Sequence, residues 1–118
     1  MSDSLFMVVQ EGTVNILELR IPAHLDSGEF DRLNDAVLGA LAARADGRWV
    51  LDLTSLTYAG SSLLGLMVNA RQRVLEAGGR LALCGLSPRL MRIFTTCCLE
   101  RLFDIRTTRA EAIRVCQR

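Results

Sequence analysis

The sequence predicts an α/β domain on a mixed sheet of about five strands, an antiparallel hairpin followed by parallel crossovers, with about four helices. Three observations carry this. Two runs rich in branched residues stand at the start, separated by the turn residues Gln10-Glu11-Gly12. A helical pattern follows, and then strand and helix alternate three times over short connections, which implies parallel neighbours joined by right-handed crossovers. A chain of 118 residues, 50% apolar, can bury about two-thirds of its surface without disulfides or metals. One domain over residues 1–118 is expected, since no repeat, low-complexity stretch or long linker divides it.

Residues 5–9 read as the first strand and 13–21 as the second. In the second, Val14 and Ile16 share one face while Leu17, Leu19 and Ile21 share the other. The alternation slips by one, which a bulge or burial on both faces explains. Pro22 ends the strand. Asp26-Ser27-Gly28-Glu29 has the spacing of a capping box, in which the Asp26 carboxylate accepts from a first-turn amide and Glu29 reaches back. Phe30, Leu33, Val37, Leu38, Leu41 and Ala42 then recur at three and four, predicting one buried helix face. Gly47 is expected to close that helix.

Arg48-Trp49-Val50-Leu51-Asp52-Leu53 is nearly continuous in apolar character and predicts a central strand covered on both faces. A polar bend over residues 54–60 leads to a second helix, opened by Ser61 or Ser62, running to about Ala77 and stopped by Gly78-Gly79. Residues 81–84 are the fourth strand. Ser87 as cap and Pro88 at the first helical position start a third helix carrying Leu90, Met91, Ile93 and Phe94. Residues 102–105 are the last strand. Thr108-Arg109-Ala110-Glu111 is a second capping box, leading a terminal helix with Ala112, Ile113 and Cys116 on one side.

Composition removes several chemistries. The 14 basic residues are all arginine, against 13 acids, for a net charge of +1. Without lysine there is no Schiff base and no P-loop. With the single histidine His24 there is no paired-imidazole zinc site, and His24 reads as a surface residue near the first helix start. No metal and no cofactor is expected. Near-neutrality argues against direct nucleic-acid binding and against a polybasic membrane anchor. The four cysteines, Cys84, Cys97, Cys98 and Cys116, lack C-x-x-C spacing. They are expected as small buried hydrophobes in a reducing cytosol, with a redox role for Cys97 and Cys98 as the alternative. The N-terminus shows no basic targeting region, and no apolar run reaches the ~18 residues of a membrane span, so a cytoplasmic protein is expected.

The stretch from Trp49 to Leu75 carries the functional signal. Ser61 falls where first-turn amides point outward and the macrodipole is positive. There a serine serves either as a plain N-cap worth about 1 kcal/mol or as a phosphoacceptor whose new charge repels a docked partner. On the helix that follows, Leu63, Leu66, Met67, Ala70, Val74 and Ala77 form a docking stripe. Leu64, Val68 and Leu75 widen the apolar arc to roughly 200°, which either a neighbouring helix or a partner would cover.

Here the chain resembles the STAS domain family, most closely its stand-alone anti-sigma factor antagonists. Asp52-Leu53-Thr54, Tyr58, Ser61-Ser62, Leu64-Gly65 and Leu66-Met67 match the family's signature in order and spacing. Leu25-Asp26, Gly78-Gly79, Gly85-x-Ser87-Pro88, the run from Leu99 to Phe103 and Glu111-Ala112 match elsewhere. The resemblance implies partner switching, with no catalysis by the antagonist itself. The unmodified antagonist binds an anti-sigma factor, whose serine kinase activity phosphorylates it, and a phosphatase restores it. The acceptor maps onto Ser61, with Ser62 as alternate, and the partner surface onto Asp26, Tyr58, Gly60, Ser62, Leu63, Leu64 and Val68. Three positions depart from the family: Gly60 stands where it has an acid, and Leu63 and Cys98 where it commonly has glycine. The alternative is a non-phosphorylated STAS subunit or scaffold of a larger assembly, such as a lipid-transport ABC complex or a stressosome-like particle. The oligomeric state is left open.

An enzyme is not expected, because Asp52 is one carboxylate without an assembled nucleophile or second acid, and reads as a loop-capping aspartate. The small net charge conceals an uneven distribution. Residues 1–59 hold four arginines and nine acids, whereas residues 60–118 hold ten arginines and four acids. Much of the positive half falls on the second, third and last helices, including Arg71, Arg73, Arg89 and Arg92, a pattern that steers an oppositely charged partner.

Overall fold

The pairing of the first two strands settles the break in alternation. In the computed structural model, β1 (Phe6–Glu11) and β2 (Val14–Leu19) run antiparallel in one unbroken register, from Phe6 opposite Leu19 to Glu11 opposite Val14. No bulge interrupts them. Val14 to Leu17 are all buried because β2 is covered on both faces. Leu17 and Leu19 enter one apolar cluster, Val14 and Ile16 another. The structure describes residues 5–22, 24–44 and 47–117, so the first four residues of the N-terminal stretch lie outside it.

From β2 the chain continues through α1 (Ser27–Ala42), β3 (Arg48–Asp52), α2 (Ser61–Glu76), β4 (Arg80–Cys84), α3 (Pro88–Thr96), β5 (Asp104–Arg106) and α4 (Arg109–Gln117). The five strands form one sheet in sequence order, with β2 to β5 parallel. Trp49, Val50 and Leu51 are buried at its centre, as the apolar run of β3 requires. One face carries the larger core, in which Leu33, Val37 and Leu41 of α1, Leu66, Met67 and Val74 of α2, and Leu90 and Phe94 of α3 pack together. Among the described elements, α4 alone covers the opposite face, its Ala112 and Cys116 resting on Val14, Ile16, Val50, Ala82 and Cys84.

Local chemistry sets the helix starts. Asp26 Oδ1 accepts from the Glu29 amide at 2.7 Å while Glu29 Oε1 accepts from the Asp26 amide at 3.1 Å, the expected reciprocal box. The Ser87 hydroxyl accepts from the Leu90 amide at 3.1 Å, with Pro88 in the first turn. The Thr108 hydroxyl accepts from the Glu111 amide at 3.2 Å, so both boxes form.

Several expectations are corrected. Gly47 does not cap α1, which ends at Ala42. Its amide donates instead to Arg44 O at 2.9 Å, and the Trp49 indole donates to the same oxygen at 2.9 Å. The last strand begins at Asp104 rather than Leu102, because residues Leu99–Arg101 form a single 3-10 turn. That turn delivers Phe103 into the core against Phe94, with ring centres 5.8 Å apart. Ala42 and Ala77 are exposed at their helix ends. Cys84 and Cys116 are buried as expected, but Cys97 and Cys98 are exposed at the turn after α3, where Cys98 adopts φ 60°. Burial pushes the Cys84 thiol up to about 12. A thiol-alkylating reagent should therefore modify Cys97 and Cys98 in the native protein and reach Cys84 and Cys116 only after unfolding, as peptide mass mapping would show.

One glycine is required by geometry. Gly85, just past β4, has φ +77°, and a Cβ there would lie 2.2 Å from Thr54 Oγ1 and 3.0 Å from the Thr54 amide nitrogen. Gly85→Ala should cost about 2 kcal/mol or more, seen as a lower urea midpoint at unchanged slope.

Candidate functional site

Because β2 and β3 are parallel neighbours, with Glu18 opposite Asp52, the loops that follow them emerge at the same end of the sheet. Between them lies an open groove of about 610 Å³. Its apolar floor comes from Ile21, Pro22, Leu25 and Phe30, and its rim includes Asp26, Tyr58, Ser61 and Ser62. Ligand sites in parallel sheets favour such positions outside the carboxyl ends of the strands.

Ser61 is the first residue of α2 and the cap before it is Gly60, in extended conformation with no side-chain hydrogen bond. The plain N-cap role for Ser61 is thus corrected. Both Ser61 and Ser62 are exposed, and the first turn of α2 carries no acid. Asp26, Tyr58, Gly60, Ser61, Ser62 and Leu63 all line the groove, whereas Leu64 and Val68 do not. Leu63 and Leu64 are 8% and 9% exposed and belong to the main core, with Val68 packed against it. The leucine that replaces the family's glycine therefore spends its bulk inward. Since α1 packs along α2, the wide apolar arc is largely covered within the fold, and Leu75, 44% exposed, is the part left open.

The rim residues have defined partners. The Glu29 amide holds the Asp26 carboxyl below its ordinary value. Tyr58, 55% exposed, carries the Arg89 guanidinium 5.4 Å from its ring centre. A Cβ placed on Gly60 would meet only the Tyr58 ring edge, at 3.8 Å, so the missing acid of the family signature is not excluded by space.

On the α4 side of the sheet, Asp52 holds the bend between β3 and α2. Its Oδ1 accepts from the Thr54 amide at 3.0 Å and the Thr54 hydroxyl at 2.5 Å, the loop-capping role expected. Its Oδ2 accepts from Arg109 Nη2 at 2.7 Å and Nε at 2.9 Å. Arg109 also binds Glu18 through Nη2, and Glu11 through Nη1 at 3.3 Å. Sequence reasoning missed Arg109. The one available signal was Asp52 itself, since a carboxylate in a strand covered on both faces demands a cation. Burial pushes the Asp52 carboxyl up, but the two Thr54 bonds and Arg109 outweigh it and hold the group below its ordinary value. The bond from Arg109 does the same for Glu18.

The fold and site define a small α/β domain that presents an uncommitted hydroxyl at the rim of a groove. The STAS domain family profile matches residues 7–112, and the chain belongs to that family. Among similar solved structures is an anti-sigma-factor antagonist (STAS) domain protein from Planctomyces limnophilus. It shares 22% identity over 96% of this chain and 98% of that one, with a TM-score of 0.81. The anti-sigma factor antagonist SpoIIAA in its unphosphorylated form shares 21% identity over 93% and 95%, at a TM-score of 0.70. The Bacillus cell fate determinant SpoIIAA in the phosphorylated form shares 19% over 92% and 96%, at 0.64. At these identities the likeness speaks to the fold.

The ion cluster has a pH consequence. Asp52 and Glu18 both sit below their ordinary values of 3.8 and 4.5. Their stabilisation is therefore complete above about pH 5 and is lost as pH falls through the folded-state values. Asp52→Asn should lower stability at neutral pH by about 2 kcal/mol and flatten the decline in acid, measured as urea midpoints between pH 7 and pH 3.

Proposed function

We propose that this chain is an anti-sigma factor antagonist in a partner-switching pathway, controlled by phosphorylation of Ser61, with Ser62 as the alternate acceptor. The observation that carries the reading is the state of Ser61. It is exposed at the first residue of α2, and the helix does not use its hydroxyl as a cap. Support comes from the similar structures, two of which are named as anti-sigma factor antagonists, while SpoIIAA has also been solved in a phosphorylated form.

In this reading the partner is an anti-sigma factor with serine kinase activity. Ser61 Oγ attacks the γ-phosphorus of ATP held by that kinase and the bond to ADP breaks. The hydroxyl proton passes to a base on the kinase or to solvent, and a phosphatase later hydrolyses the ester. The antagonist contributes the acceptor and the surface, not the catalytic groups. Asp26, Tyr58 and Ser62 form the exposed part of the contact, with Gly60 half-buried beside them and Leu63, Leu64 and Val68 supporting it from the core. The added charge of roughly −2 disfavours the docked state. No described helix is long and apolar enough to cross a membrane.

A second reading has one observation in its favour. Gly60 offers no carboxylate to orient the acceptor, as expected of a STAS subunit that never cycles and serves a lipid-transport ABC complex or a stressosome-like scaffold.

With ATP and a co-encoded histidine-kinase-like protein, intact-mass measurement should show one added phosphate, absent in Ser61→Ala. Ser61→Asp should weaken binding to that protein by about tenfold or more, equivalent to about 1.4 kcal/mol. Co-purification with a transporter ATPase, unaffected by Ser61→Asp, would sustain the second reading instead.

A further inference from the structure

One cation beside the groove has no ionic partner. Arg89 is exposed in the first turn of α3 and takes part in no ion pair among the described residues. That turn contains no acid, and the amino end of a helix is the positive end of its dipole, so the local field opposes a guanidinium there. Tyr58 is what receives it, with the guanidinium carbon 5.4 Å from the ring centre. The same ring reaches toward the acceptor segment. A Cβ on Gly60 would stand 3.8 Å from Tyr58 Cε2 and 3.9 Å from its hydroxyl oxygen. One aromatic ring thus links Arg89 to the residue immediately before Ser61. The groove's own acids are Asp26 and Asp31, and Asp26 is committed to the cap of α1.

We infer that Arg89, held over the Tyr58 ring, is the residue that binds the phosphate carried by Ser61. This rests on the phosphorylation reading above and adds to it the group that responds to the modification. A cation held over a ring face is not neutralised by it and keeps its N–H donors, and the forked geometry of those donors matches phosphate oxygens. Tyr58 therefore acts as a platform that keeps the cation beside the acceptor without neutralising it. Pairing with the phosphate ties the start of α2 to the start of α3 and fixes Tyr58 between them. The modification then changes the shape of the groove rim as well as its charge. Gly60 fits this arrangement, because an acid at that position would compete for the same guanidinium.

The test separates capture from transfer by encoding phosphoserine genetically at position 61 of the full chain, so that no kinase is needed. Phosphorus NMR titration should give a second phosphate ionisation about half a unit lower with Arg89 than in Arg89→Gln, about threefold in acid constant. Tyr58→Leu should surrender most of that shift, since Arg89 loses its platform. An unchanged titration in either variant overturns the proposal. Failure of the phosphorylation reading shows differently: the kinase assay on the unmodified chain transfers nothing while the encoded phosphoserine still titrates low.

Discussion

The Asp52 carboxylate is the constraint on which the functional end of the molecule depends. It sits at the last residue of the central strand, where the chain must leave a sheet covered on both faces and turn toward α2. One oxygen closes that turn on Thr54, and the other is held by Arg109 from the helix that covers the opposite face. A buried carboxylate with only half of this set would be costly. With both, it fixes the direction in which α2 begins, and hence where Ser61 stands. The close approach of Gly85 to Thr54 belongs to the same constraint, since any side chain there would push the turn away from β4.

The fold was legible because its signals are local. Capping boxes at Asp26 and Thr108, proline after Ser87 and the apolar run of β3 each act through residues within a turn of one another, and each forms as read. The misreadings share a different cause. Whether Gly47 caps a helix, and whether residues 102–103 join a strand or enter the core, depend on tertiary partners: Trp49, bonded to Arg44 O, in the first case, Phe94 in the second. The slip in β2 was readable as an alternative, and long-range cover by α4 decided it. The site was legible in part. Asp26, Tyr58, Gly60, Ser61 and Ser62 come together as their places on two adjacent loops suggest, whereas the burial of Leu63 and Leu64 follows from α1 lying along α2. Arg109 was one of fourteen arginines, and nothing local distinguishes it from the rest.

The uneven charge of the two halves takes a specific meaning in three dimensions. Arg109, from the positive half, is drawn across the sheet to Glu11, Glu18 and Asp52 of the negative half. Part of the asymmetry is thus consumed inside the fold, where it fastens α4. What remains exposed is arranged by element. α1 carries Glu29, Asp31 and Asp35 with one arginine, while α3 carries Arg89 and Arg92 with no acid. The groove lies toward the acidic helix on one side and toward Arg89 on the other. A partner docking across it meets opposite charges at its two edges, which favours one orientation over the reverse.

The start of α2 shows how little the fold invests in the acceptor. The starts of α1 and α3 are capped by Asp26 and Ser87, and Thr108 and Glu111 form the box ahead of α4. α2 begins with Gly60 and no first-turn acid. Glycine at the cap costs only about a few tenths of a kcal/mol relative to serine, so stability at this end changes little. The chemical difference is larger. A serine or aspartate at position 60 would direct its oxygen to the first-turn amides, satisfying them permanently. Glycine leaves those amides without a side-chain cap, so a charge added at Ser61 meets no competing anion within the first turn of its own helix. The same substitution that removes the family's acid therefore makes the helix start more responsive to modification, at a cost small beside the contacts that Asp52 and Arg109 supply at the bend before it.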